Sequence, residues 1–164
     1  MKKTINLLFI FFLISFFSYN SAYSAMSSGS TGSGGGSEES LYKEGKKLVY
    51  RAKKLDKKNK KEKAERLFLK AINKLERAYA KDKKNADILN YLGYALRKTG
   101  DLEKAEIFYL KGLELDAGHL GINEYLGELY VQTNRIELAK KRLQVLNGCK
   151  CEEYEELKEL IENN

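Results

Sequence analysis

This chain of 164 residues is poor in the groups that do chemistry. It has one histidine, two cysteines, no tryptophan and no proline. It contains no grouping of serine, histidine and acid, no glycine-rich loop of the phosphate-cradling kind, and no paired acids away from helix surfaces. Those absences leave no catalytic constellation to assign and imply no cofactor. The lone histidine, His119, falls in a loop, where a turn or packing role suits it better than that of a base. Aromatic platforms do not interleave with the basic residues, which argues against nucleic acid as a partner. The longest apolar run, Leu7 to Phe17, is also short of the roughly 20 residues that a spanning helix needs.

That run has a different meaning. Lys2-Lys3 precede it and Ala22-Tyr23-Ser24-Ala25 follow it, the arrangement of a cleavable secretory leader over residues 1–25. The competing reading is an uncleaved anchor. No cysteine lies near the cleavage site, so a lipid anchor is not suggested. Residues 26–38 are dominated by serine and glycine and read as a flexible linker. The expected location is the periplasm or the exterior. The rest, 39–164, has the size of one domain.

Within it, Tyr91-Leu92-Gly93 returns as Tyr125-Leu126-Gly127 after 34 residues, with Ala105 and Ala139 in step. A fixed period of this length marks stacked helical hairpins. Ile88, Leu89, Leu92, Ala95 and Leu96 recur at helical spacing, and Gly100-Asp101 ends that helix and begins another. The second helix, about Leu102 to Leu115, carries Ala105, Phe108, Tyr109, Gly112 and Leu113 on one stripe. Asn134 replaces Gly100, and both types accept a left-handed helix end. Gly93 and Gly127 are expected to let the first helix approach the small Ala105 or Ala139 of the second, which offsets the roughly 1 kcal/mol that glycine costs inside a helix.

Leu89, Leu92-Gly93, Leu96, Gly100, Ala105, Tyr109 and Leu113 to Asp116 resemble a unit of the tetratricopeptide repeat family. Leucine stands where the family has its tryptophan, and Ala117 where it has a proline. The resemblance implies an all-α stack of about three antiparallel helix hairpins, with clear repeats at 86–119 and 120–148. A divergent first repeat spans about 41–84, with helices at Leu41 to Leu55 and Lys60 to Asp82 and no Leu-Gly signature. A polar capping helix is expected over 152–162.

By the same resemblance, the first helix of each hairpin lines a concave face. This places Asn90, Tyr94, Arg97 and Lys98 there, with Glu124 and Glu128 from the next repeat. Such residues could hold an extended peptide by hydrogen bonds and charge. Alternatively, Arg97 or Lys98 pairs with Glu124 or Glu128 and leaves the groove neutral.

Charge is uneven along the chain. The net charge is +7, yet 43–84 holds 18 basic against 6 acidic residues, and 150–164 holds 2 against 6. The basic patch around Lys57, Lys58, Lys60 and Lys61 suits an anionic envelope surface, or it is a solvated face that aids solubility. Cys149 and Cys151 are one residue apart and open to three readings: a structural pair, free or intermolecular thiols, or a redox or metal function. A zinc site would need two more ligands, and His119 is about 30 residues away. The function expected is that of a non-enzymatic adaptor for a protein or peptide of the cell envelope.

Overall fold

The computed structural model describes residues 37–164. The leader reading for 1–25, and that of a coil over 26–36, lie outside the described residues. Ser37 is already structured, because its side chain accepts a hydrogen bond from Ser40 N and caps the first helix. The first helix thus begins at Glu38, inside the segment expected to be linker.

Seven helices and no strand occur among the described residues. They are α1 (Glu38–Lys57), α2 (Lys61–Lys81), α3 (Ala86–Lys98), α4 (Leu102–Leu115), α5 (Leu120–Gln132), α6 (Ile136–Leu146) and α7 (Glu152–Glu162). The first six pair as hairpins α1/α2, α3/α4 and α5/α6, and α7 packs on α5 and α6 as the cap. No helix among the described residues is long and apolar enough to cross a membrane.

The three hairpin turns share one chemistry. Asn59, Gly100 and Asn134 all have positive φ, at 56°, 90° and 57°. In each turn the next residue's N–H reaches back into the helix: Lys60 to Leu55 O, Asp101 to Leu96 O and Arg135 to Tyr130 O. This closes the helix end with two residue types that tolerate a left-handed backbone. The turns between hairpins repeat as well. Asp82 accepts from Lys84 N at 2.9 Å, and Asp116 from Gly118 N at 3.0 Å. An aspartate turn thus does the work that the missing proline does in the family pattern.

Helix contact is set by glycines, and the side chains nearest to them are larger than the alanines the sequence suggests. A Cβ on Gly93 would lie 2.6 Å from the ring of Tyr109. One on Gly127 would lie 2.5 Å from Leu157 of α7. The first hairpin, expected to lack this device, has it in Gly45, where a Cβ would meet Leu75 at 2.6 Å. The 34-residue period hides Gly45 because α1 and α2, at 20 and 21 residues, are each seven longer than α3 and α4, at 13 and 14. Seven residues are about two turns, so the hairpin lengthens without rotating its buried face. The buried residues Ala64, Phe68, Ala71, Leu75 and Ala78 of α2 keep this heptad spacing.

Helices α3 and α5 lie innermost. Eight of 13 residues are buried in each, including Asn90 in α3 and Asn123 and Glu124 in α5.

Gly93→Ala is expected to lower stability by about 1–3 kcal/mol in urea melts, although alanine is the better helix former, because the buried Tyr109 ring has nowhere to move. Gly118→Ala, where a Cβ would meet only the Asp116 carboxylate at 3.6 Å, should shift the midpoint far less. Equal shifts would refute this account of the helix spacing.

Candidate functional site

The inner face is floored by α3 and α5 and flanked by α1 and α7. The C-terminal half of α1 reaches across to α5. Lys53 Nζ donates to Tyr125 Oη at 3.0 Å and lies over the rings of Tyr94 and Tyr125 at 5.0 and 5.2 Å. Further along, Lys46 sits over Tyr42 and Tyr91, and the hydroxyls of Tyr50 and Tyr91 are 3.0 Å apart. A tyrosine ladder results, with Tyr94 and Tyr125 ring centroids 4.7 Å apart.

Two cavities open along this ladder and share Tyr50, Tyr125 and Glu153. One of about 430 Å³ lies between the N-terminal halves of α3 and α5 and is lined by Asp87, Asn90, Tyr91, Asp116 and His119. The other, about 240 Å³, brings Lys53 and Lys57 of α1 opposite Glu152 and Glu156 of α7. The basic and acidic ends of the stack therefore meet over Tyr125.

The residues expected on an open concave face are mostly built into the floor. Asn90 is 5% exposed, Tyr94 6% and Glu124 2%. Arg97 pairs with Glu128 across adjacent helices and stacks over Tyr94 and Tyr125. That pairing is one of the two arrangements the sequence left open. Lys98 instead binds Asp56 of α1 at 2.6 Å. Of the six expected groove residues, only Lys98 is exposed; the Arg97 side chain is 9% exposed and that of Glu128 21%. Asn90 still lines the larger opening and Glu124 the smaller, beside Tyr50, Tyr91 and Tyr125, the last two 34 residues apart in the repeat signature itself. Their spacing was visible in the sequence; that they face the cavity depends on how the helices cross.

Glu124, Glu128 and Glu156 converge, with carboxylate oxygens within 4.8 Å of one another. Burial, hydrogen bonding to Glu156 and the charge of Glu128 push the Glu124 carboxyl up to about 9, opposed by Lys53. Its neutral form is the one the site favours. Burial likewise raises the phenols of Tyr94 and Tyr125, so both remain neutral donors.

Lys57, Lys58, Lys60 and Lys61 are all exposed at the end of the lengthened α1/α2 arm. Cys149 and Cys151 are joined by a disulfide across Lys150, whose φ is 51°, at the entrance to α7. The two are thus paired rather than free thiols, an arrangement shared by the structural and redox readings. His119 caps α5: its Nδ1 accepts from Ile122 N at 3.2 Å.

Residues 86–119 match the model of the tetratricopeptide repeat. The match covers one unit of the stack, the α3/α4 hairpin. Solved tetratricopeptide structures share its fold at low sequence identity. The Arabidopsis OM64 TPR domain superposes with a TM-score of 0.55 at 13% identity, over 75% of this chain and 98% of that one. The second TPR domain of human RPAP3 gives 0.55 at 19%, over 76% and 98%. The Yersinia enterocolitica type III secretion translocator chaperone SycD gives 0.52 at 16%, over 77% and 84%. No curated protein matches the chain in sequence.

Glu124→Gln should stabilise the stack. A carboxyl raised in the folded state holds a proton that the unfolded chain releases near pH 4.5, so native stability falls as pH rises from there towards about 9. The amide cannot ionise. The variant is expected to gain about 1 kcal/mol over the native chain at pH 8 and little at pH 4, read from thermal melts. A gain that does not vary with pH would contradict the assignment.

Proposed function

We propose that this chain is a non-enzymatic adaptor that binds an extended segment of a protein along the tyrosine-lined inner face of its tetratricopeptide stack. The observation carrying this is the face itself. Helices α1, α3, α5 and α7 surround two connected openings presenting aromatic rings, carboxylates and hydroxyls, and no catalytic grouping accompanies them. Aromatic side chains with polar tips give large contact area at little entropic cost, the pattern expected of a recognition surface. The fold supports the same reading, since the second TPR domain of RPAP3 was solved in complex with an HSP70 peptide. Lys2-Lys3, the apolar run and the small residues at 22–25 support export to the periplasm or exterior, with the partner in the cell envelope.

One observation favours a second reading. The turn that joins α1 and α2 carries Lys57, Lys58, Lys60 and Lys61, all exposed, where they could reach an anionic lipid or polymer surface.

Capture of the envelope partner by the purified chain separates the two readings. Tyr50→Ala with Tyr91→Ala should weaken capture by about 2 kcal/mol while helicity is retained. Changing Lys58, Lys60 and Lys61, which line neither opening, to glutamine should do little beyond slowing association. The reverse pattern would move the site to the basic arm. Intact mass of the cellular protein should place its first residue between Ala22 and Met26; a full-length chain would refute export with cleavage.

A further inference from the structure

The cavity between α3 and α5 has a charge opposite to that of the chain as a whole. Three carboxylates reach it from three different elements: Asp87 from α3, Asp116 from the loop before α5, and Glu153 from α7. No lysine or arginine lines it among the described residues, in a protein of net charge +7. Tyr50, Tyr91 and Tyr125 supply ring faces beside the acids. Asn90 adds an independent sign of a missing ligand. It lines the cavity, is 5% exposed, and its Oδ1 accepts no hydrogen bond. Gly121 makes room for that amide, because a Cβ there would stand 2.9 Å from Asn90 Nδ2. A buried acceptor without a donor is uncommon in a folded protein and calls for an explanation.

Anions are poorly suited to this place. The helix N-termini beside it are already capped, Ile88 N by Asn85 and Ile122 N by His119. His119 Nε2 is 3.4 Å from Asp87 Oδ1, so its remaining nitrogen faces an acid. An incoming carboxylate would find three others and no free cation. A cation would find the reverse: opposing charges, an unfilled acceptor and aromatic faces. The ladder already accepts the chain's own cations, with Lys46 and Lys53 each 5.2 Å from the ring centroids of Tyr91 and Tyr125.

We propose that this cavity, lined by Asp87, Asn90, Tyr91, Asp116, Tyr125 and Glu153, binds the guanidinium or ammonium group of a basic segment of the protein partner. The inference rests on the reading of the inner face as a peptide site and narrows it to cationic peptides. A cavity of about 430 Å³ is large enough for one lysine or arginine side chain with part of its backbone.

The test uses the full chain with fluorescent tetra-arginine and tetra-glutamate peptides at low salt, binding read by anisotropy and located by tyrosine ring shifts in NMR spectra. Tetra-arginine should bind and move the Tyr91 and Tyr125 resonances. Asp87→Asn with Asp116→Asn and Glu153→Gln should weaken it about tenfold or more, and Asn90→Leu should weaken it less. Glu155→Gln with Glu159→Gln, on the exposed side of α7, removes similar charge and should have little effect. If the cavity and surface variants weaken tetra-arginine equally, the attraction is diffuse and the site is rejected. If tetra-glutamate moves the inner-face tyrosines and tetra-arginine does not, the cation site is rejected while the adaptor reading stands. If the Tyr50→Ala, Tyr91→Ala chain still captures its partner and neither peptide shifts those tyrosines, both fall.

Discussion

At Gly45, Gly93 and Gly127 a single added carbon would come within 2.5–2.6 Å of the side chain opposite, so these first helices lie closer to their neighbours than any alanine would permit. This approach sets the spacing of the stack. Each glycine receives a large buried side chain, Leu75, Tyr109 and Leu157 in turn, and the helices cross around that contact. The partner at the third contact explains the cap. Where the first two glycines meet the second helix of their own hairpin, Gly127 meets Leu157 of α7, so the closing helix fills the space that a further hairpin would otherwise occupy. The polar outer face of α7 then ends the stack in water, with Glu152, Glu155 and Glu156 exposed.

The same register shows why the first hairpin can be longer without disturbing the rest. Seven extra residues on each arm are nearly two turns, so the apolar stripe continues and only the reach of the hairpin changes. Lys53 of α1 lies over the Tyr94 ring of α3 and donates to Tyr125 of α5, so the first hairpin touches both central helices.

Periodic features could be read from the sequence, and features created by helix crossing could not. Leu92-Gly93 and Leu126-Gly127 announce the 34-residue unit, and the Gly100 to Asn134 exchange announces the turn, because local backbone chemistry alone decides both. Gly45 could not be found that way, since it stands 48 residues before Gly93 rather than 34. The inner face was legible in part. Asn90 and Glu124 sit at equivalent positions that a repeat pattern places facing inwards, and they line the two openings although α1 and α7 leave them little exposed. Which further residues line an opening depends on the neighbouring helices, so Tyr91 and Tyr125, one position further on, join them there. The disulfide is an intermediate case. The spacing of Cys149 and Cys151 permits a bridge without requiring one, and the structure pairs them where the chain turns into α7.

The polar residues buried in α3 and α5 are not what packing alone would select. Leucine at positions 90 and 124 would fill similar volume without the desolvation of an amide or a carboxyl. Asn123, by contrast, accounts for itself: its Nδ2 donates to Ala117 O and His119 O at 3.0 Å and fixes the loop. Glu124 secures only an acid-to-acid contact with Glu156 and a nearby lysine, and Asn90 leaves an acceptor unfilled. Both lie on the two central helices at the openings, and Arg97 Nε and Tyr109 Oη are likewise buried without a partner. Locally unfavourable choices concentrated beneath an open, aromatic-lined surface follow the pattern in which stability is given up where a ligand completes the interactions. The stack holds together through Gly45, Gly93 and Gly127, which leaves these positions free to serve recognition.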